Sequence, residues 1–192
     1  MRTTFGAILA ILFPLLLLAA CSDEGTTVSS LGSVAQQTHA SSPAPQDLPP
    51  IHAEPLTERH AFKDDVAVQI RNKPDGRRTT VANVQDATHL AVLEITIQPG
   101  ARFPWHTHPG PVVVAVVEGE FTYVYADDCV RRDYSGGALI DPGFDNVHMA
   151  YNPNEASVTR VIATFLGVPA DGPLTIPVNE DEGAVLDERC GL

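Results

Sequence analysis

Pro99-Gly-Ala-Arg-Phe-Pro-Trp-His-Thr-His-Pro-Gly110 is the segment from which the rest of this sequence can be interpreted. Two histidines, His106 and His108, stand one residue apart between turns rich in Pro and Gly. In an extended strand, residues i and i+2 project to the same side, so both imidazoles enter one space while Trp105 and Thr107 face away. A chain with 7 histidines can contain such a pair by chance, so the interpretation depends on the flanking sequence.

Short β-strands are predicted on both sides of this segment, because β-branched and aromatic residues alternate with others between turns rich in Gly, Pro, Asn and Asp. The run 111–117 is apolar on both faces, which predicts a strand buried on both sides. No stretch has the period of a long amphipathic helix. Regularly spaced short strands are typical of an all-β sandwich or barrel. The strands are predicted at 65–70, 79–84, 89–97, 111–117, 121–125, 138–140 and 156–168.

The N-terminus has the features of an export signal. Arg2 precedes an apolar run over 5–20, which is shorter than a membrane-spanning helix usually requires. The small residues before Cys21 resemble the lipobox of bacterial lipoproteins, which implies a lipid anchor on Cys21 and a location on the periplasmic face of the cell envelope. Ser22 favours the outer membrane by the same resemblance. An ordinary cleaved secretory signal or a retained signal anchor remains the alternative.

Domain organisation follows from composition. Residues 22–55 are rich in Ser, Thr, Ala, Gln and Pro, which predicts a disordered or extended tether, with ordered structure beginning near His60. We expect the acidic tail 169–192 to be irregular and to wrap the barrel. The chain is therefore divided into a signal peptide (1–20), a lipid-anchored linker (21–58) and one domain (59–192).

Two cysteines besides Cys21 are present, Cys129 and Cys190. In an exported protein, an even pair of cysteines usually forms a disulfide, so we predict a bond between these two. Two separate thiols are the alternative.

Length and charge limit the functions that the chain can have. Its 192 residues accommodate one ordinary domain with appendages. A formal net charge of −12 with only two lysines argues against a nucleic-acid partner, because phosphate binding relies on clustered Lys and Arg. The acidity is that of a solvated surface.

The order of these landmarks resembles that of the cupin family, which has two sequence motifs. The first is Gly, five residues, His-x-His, three or four residues, Glu, six residues, Gly. Gly100, His106, His108 and Gly119 fall in register with it, whereas Val112 stands in the place of the Glu.

The second cupin motif is Gly, about five residues, Pro-x-Gly, two residues, His, three residues, Asn. Gly136, Pro142, His148 and Asn152 match it, with a slightly longer segment before His148. The resemblance covers about 81–166. It is most specific to small single-domain bacterial cupins of type 2 that lack the Glu. It implies an all-β fold, a double-stranded β-helix or jelly-roll barrel.

The resemblance also implies a metal site. Three imidazoles, from His106, His108 and His148, form a ligand set for a divalent transition metal. Iron is favoured by the family, with zinc, copper, nickel and manganese as alternatives. Because all three ligands are neutral, the charge of the ion is uncompensated, which favours a small anionic or oxygen-chelating ligand. The alternative is a cupin that has lost its metal together with its Glu.

Three functions are compatible with these residues. The resemblance implies a three-His, metal-dependent oxidoreductase of the dioxygenase type, acting on a small molecule. A non-catalytic module that binds or senses a small molecule or metal in the envelope is the rival. A metal-free structural homodimer is the third, suggested by the apolar run 111–117.

Further residues are candidates for the pocket. Val112 is placed there by the motif register, and Tyr123 by the aromatic face of its strand. Glu94 could restore a carboxylate, although strand alternation favours an outward, solvated position. Asn152 is usually structural in cupins, and Asp145 could contact the ligands from behind. The histidines that we do not interpret as ligands are His39, His52, His60 and His89.

Overall fold

The computed structural model describes residues 48–192. The predicted signal peptide, Cys21, His39 and most of the predicted linker lie outside this range. Within residues 48–192, no helix is long and apolar enough to cross a membrane.

Strands dominate the described chain, and one helix follows them near the C-terminus. The elements are β1 (Ile51–Pro55), β2 (His60–Ala61), β3 (Val68–Asn72), β4 (Thr80–Val84), β5 (His89–Ile97), β6 (His106–Thr107), β7 (Val112–Glu118), β8 (Glu120–Tyr125), β9 (Arg131–Ser135), β10 (Ala138–Asp141), β11 (His148–Tyr151), β12 (Thr159–Leu166), β13 (Ile176–Pro177) and α1 (Glu180–Cys190).

Two antiparallel sheets share one core. The six-stranded sheet has the order β1-β5-β12-β7-β10, with β2 also on β5, and the five-stranded sheet has the order β13-β6-β11-β8-β9. Between β5 and β12 the chain passes repeatedly from one sheet to the other, as in a jelly roll. Side chains from both sheets meet in one buried cluster, among them Ile95, Val114, Tyr123 and Phe165. The predicted all-β jelly-roll fold is confirmed.

Side-chain alternation places the core residues, and it corrects the prediction for the run 111–117. In β7 one face is buried, with Val112 and Val114 at 2% and 8% exposure. On the other face Val113 is half-buried and Val117 is 38% exposed. The prediction of burial on both faces is wrong, because the outer face is shielded only partly, by side chains of neighbouring strands.

The tail is not irregular as predicted, since it contains α1. The Asn179 side chain caps the first turn by accepting from the backbone N–H of Glu182, and Gly191 ends the helix in a left-handed conformation. Leu186 is buried in a second cluster with Trp105, Val124, Ala126 and Met149. The helix therefore covers the outer face of the five-stranded sheet.

The predicted disulfide is confirmed, because Cys129 and Cys190 are bonded across 61 positions of sequence. It ties the end of α1 to the turn after β8. Near it, the Arg131 guanidinium donates to the carbonyl of Gly191 at 2.8 Å. The tail thus wraps the sheet as expected, although as a helix.

Several strands were not predicted, and the two longest of them are β1 and β9. Ile51–Pro55 pairs with β5 although it lies inside the predicted linker, so ordered structure begins before His60 and His52 is half-buried in a strand. The segment Arg131–Ser135, expected to be irregular, pairs with β8. Both sequences lack the alternation of a half-buried strand, because they lie at sheet edges where few side chains reach the core.

Candidate metal centre

The three predicted histidines converge in the core between the sheets. His106 begins β6 and His148 begins β11, and the two residues are direct cross-strand partners. His108 follows His106 by two positions and projects to the same side. One ring nitrogen from each lies within 4.8 Å of the other two, and all three side chains are buried. The separation of ring centroids ranges from 4.3 Å to 5.0 Å.

Each imidazole is held by a backbone carbonyl oxygen at its Nδ1. The distances are 2.6 Å from His106 to Pro104, 2.8 Å from His108 to Leu174 and 2.9 Å from His148 to Asn146. A carbonyl oxygen only accepts, so Nδ1 carries the hydrogen and the lone pair of each neutral ring lies on Nε2. This arrangement orients imidazoles for a metal ion in many metal sites.

Burial keeps two of these rings neutral. Desolvation, with a smaller contribution from the neighbouring imidazoles, lowers the pKa of His106 to about 3 and that of His108 to about 4. At neutral pH, both therefore present a lone pair without first losing a proton.

Asp141 is the carboxylate that accompanies the site, and sequence reasoning missed it in favour of Asp145. Asp141 is 1% exposed, and its Oδ2 lies 3.1 Å from Nδ1 of His148, whereas Asp145 is exposed. Desolvation, the largest cause, would raise the pKa of Asp141, but its contact with His148 and the hydrogen bond from the Tyr123 hydroxyl lower it to about 2. Alternation was the available signal, because Asp141 shares its strand face with buried Leu139.

Tyr123, a pocket candidate from the sequence, is also among the residues that line a small cavity beside the histidines. Its hydroxyl donates to Oδ2 of Asp141 at 2.6 Å, and its ring stacks on that of His148 with centroids 4.6 Å apart. Burial, followed by the charge of Asp141, raises the pKa of Tyr123 well above its usual value, so the phenol remains a donor.

A small cavity of about 60 Å³ opens beside the three histidines. Val112, which the motif register assigned to the pocket, is among its lining residues. Apart from the histidines, Asp141, Tyr123 and Thr175, the lining is apolar. The apolar lining residues are Ile95, Phe103, Val112, Val114, Phe121, Ala150, Val161, Ala163 and Phe165.

Two predicted pocket candidates lie elsewhere. Glu94 points outward, with its Oε1 3.8 Å from the Arg160 guanidinium, as alternation favoured. Asn152 is fully buried and structural, since its amide donates to the carbonyls of Ile97, Gln98 and Ser157. Neither side chain belongs to the cavity lining.

The segment after β12 also contributes to the site. Leu174 supplies the carbonyl that fixes His108, and Thr175 lines the cavity. Next, β13 pairs with β6, which carries His106. The Arg59 guanidinium holds this segment by donating to the carbonyls of Pro169 at 2.8 Å and Gly172 at 2.5 Å. No pattern in the sequence marked Leu174.

No protein-family model matches this chain, and no curated protein shows a match to it. Among solved structures, a cupin-like protein from Thermotoga maritima is 24% identical, with 50% of this chain and 72% of that chain covered and a TM-score of 0.40. A cupin 2 domain-containing protein from Halorhodospira halophila is 16% identical, covers 66% and 80%, and has a TM-score of 0.43. A polyketide cyclase from Streptomyces resistomycificus is 19% identical, covers 68% and 83%, and has a TM-score of 0.40. The identities and scores are low, so the jelly roll is identified by the strand order of this chain itself.

The lowered pKa values predict that the metal-free protein loses stability in mild acid. Below pH 6.5 the unfolded chain protonates His106 and His108, whereas in the folded protein the pKa is about 3 for His106 and about 4 for His108, so the unfolded state binds more protons. Stability should fall by about 4 kcal/mol between pH 7 and pH 5, at up to about 1.4 kcal/mol per histidine and pH unit. Urea unfolding of chelator-treated protein measures this.

The His106→Gln, His108→Gln double variant should lose most of that pH dependence. His60→Gln, which changes an exposed histidine, should retain it. Equal pH dependence in the double variant and the wild type would show that the two buried imidazoles are not its source.

Proposed function

We propose that this chain is a cupin-type protein that binds a divalent transition metal through Nε2 of His106, His108 and His148. The observation that carries the proposal is the convergence of three buried ring nitrogens within 4.8 Å, with each Nδ1 already held by a backbone carbonyl. Three imidazoles fit iron, zinc, copper and nickel, and manganese less well. Iron is the metal we favour.

The surroundings of the three histidines favour a small ligand. Iron bound there would supply Lewis acidity and redox chemistry toward dioxygen. The apolar walls exclude bulk water from the same space. Within the described chain, neither Lys nor Arg lines the cavity, so the charge of an anionic ligand would be balanced by the metal.

The size of the cavity limits how much of a ligand can enter it. The cavity of about 60 Å³ is small beside the roughly 300–1,000 Å³ that is typical of ligand pockets. A larger molecule would therefore place only its metal-binding end among the histidines. This supports a dioxygenase-like reaction on a small anionic or oxygen-chelating molecule as the enzymatic function.

A non-catalytic binding or sensing role is the second candidate, and one observation favours it. The carboxylate of Asp141 already accepts from Tyr123 and from the backbone N–H of Gly143, and it contacts His148. It is therefore poorly placed to accept a proton from a substrate. Oxygen consumption by the metal-loaded protein would favour the enzyme, and tightly held zinc without turnover would favour the binding module.

The metal site is tested by His106→Ala in the full-length chain. Loss of one of three ligands should reduce bound metal from near one equivalent to a small fraction, while circular dichroism still reports a folded β protein. Elemental analysis of protein purified without chelator gives the stoichiometry. His60→Ala is the matched control, because its side chain is exposed and outside the site.

Full metal occupancy in His106→Ala would refute the ligand assignment. If the wild-type protein contains no stoichiometric metal and its fold is unchanged by these substitutions, the proposal of a metal-dependent enzyme is refuted.

We also infer that the chain is exported and held by a lipid on Cys21 at the periplasmic side of the envelope, with the outer membrane favoured. The disulfide between Cys129 and Cys190 supports export, because such bonds persist in oxidising compartments. The lipobox-like residues before Cys21 support the anchor.

Cys21→Ser should move the full-length protein from the membrane fraction to the soluble fraction, because the lipid attachment atom is removed. Cell fractionation with immunoblotting measures the distribution. Cys129→Ser is the matched control, since it removes a cysteine but leaves the anchor. A Cys21→Ser protein that stays in the membrane fraction would indicate a retained signal anchor instead.

A further inference from the structure

Asp141 is a fully buried carboxylate in an apolar part of the core. Such a group is costly to bury unless its oxygens are paired. Here Oδ2 accepts from Tyr123 at 2.6 Å and lies 3.1 Å from His148 Nδ1, and Oδ1 accepts from the backbone N–H of Gly143 at 2.5 Å. The carboxylate is therefore fixed in place, directly behind one of the three converging imidazoles.

The position of Asp141 relative to the cavity is fixed by the sheet. Its cross-strand partner in the pairing of β10 with β7 is Val112, which lines the cavity beside the histidines. Cβ atoms of direct cross-strand partners lie about 5 Å apart. Asp141 is therefore the direct neighbour of Val112, whose side chain lines the cavity. The carboxylate of Asp141 contacts Nδ1 of His148, which is not the nitrogen proposed to bind the metal.

Position 112 carries an apolar side chain, whereas position 141 carries a carboxylate. The three imidazole ligands are neutral and leave both charges of a divalent ion uncompensated in an apolar cavity. In such surroundings the attraction between a cation and a carboxylate is strong, because little solvent screens it. A carboxylate 3.1 Å from Nδ1 of His148 places negative charge one ring away from the ion.

We propose that Asp141 is a positioning residue that supplies, through His148, the negative charge that the three-histidine ligand set lacks. The inference rests on the proposed metal-binding function. Tyr123 assists by donating to Asp141 and by stacking on His148, so that the carboxylate and the imidazole keep one relative orientation.

A purely structural role is the competing explanation, since Oδ1 of Asp141 also binds the N–H of Gly143 and so stabilises the turn after β10. Asparagine at position 141 separates the two roles. Its amide oxygen can still accept from that N–H, whereas the uncharged NH2 group takes the place of Oδ2 and cannot accept from Tyr123 or His148.

The test is a zinc titration of the full-length protein against a chromophoric chelator. Asp141→Asn should weaken zinc binding by about 10- to 100-fold, the usual effect of removing a group that supports a metal ligand. Asp145→Asn is the matched control, because it makes the same change of charge at an exposed position four residues away, and it should bind zinc as the wild type does.

The double variant Val112→Glu, Asp141→Asn decides between charge and structure. It returns a carboxylate to the site from the cross-strand position, so it should recover most of the lost affinity and bind manganese better than the wild type does, because carboxylates suit that ion. A gain in affinity larger than the one that Val112→Glu gives in the wild type supports the proposal, since a purely structural defect at position 141 would leave the two gains equal.

Wild-type affinity in Asp141→Asn, or weakened binding that the double variant does not recover, overturns the proposal. If Asp141→Asn does not fold, Tyr123→Phe, which removes only the hydroxyl that donates to Oδ2 of Asp141, decides instead, with weakened zinc binding supporting the proposal and wild-type affinity overturning it. A wild-type protein that binds no zinc refutes the metal site itself. If the wild type binds zinc and Asp141→Asn binds it with the same affinity, only the proposed role of Asp141 is refuted.

Discussion

Three hydrogen bonds from imidazole Nδ1 to backbone carbonyl oxygens hold the centre of this fold. The carbonyls belong to Pro104, Asn146 and Leu174, in three segments that are far apart in sequence. Leaving a buried donor of this kind without its partner costs about 1–3 kcal/mol. The orientation of the histidines therefore depends on the turn before β6, the loop before β11 and the segment after β12 folding together.

The same burial that isolates the imidazoles also prepares them for an ion. Desolvation keeps His106 and His108 neutral far below physiological pH, so protons do not compete strongly for their lone pairs. Burial also strengthens electrostatic interactions, because little solvent screens them. A single carboxylate next to His148 therefore has a large effect on the site. An apolar wall and a fixed carboxylate thus act on the site together, one by excluding water and the other by balancing charge.

Much of this architecture was predictable because it depends on local pattern. Alternation placed β5 and the aromatic face of β8, and strand parity together with motif spacing brought His106, His108 and His148 together. The helix α1 could not be predicted from an apolar stripe, because Leu186 is its only buried residue and it is held by the disulfide and by polar contacts such as Trp105 Nε1 to Asp187 at 2.8 Å.

The site was less predictable than the fold wherever it depends on tertiary contact. A backbone carbonyl such as that of Leu174 leaves no trace in the sequence. Asp141 did leave one, since it alternates with Leu139 at the end of β10, but a short strand beside a turn makes such alternation easy to overlook.

X-ray absorption spectroscopy of the metal-loaded, full-length protein tests the central claim most directly. The account predicts three imidazole nitrogens at about 2.0–2.2 Å from the metal, and a metal bound without imidazole ligands would contradict it.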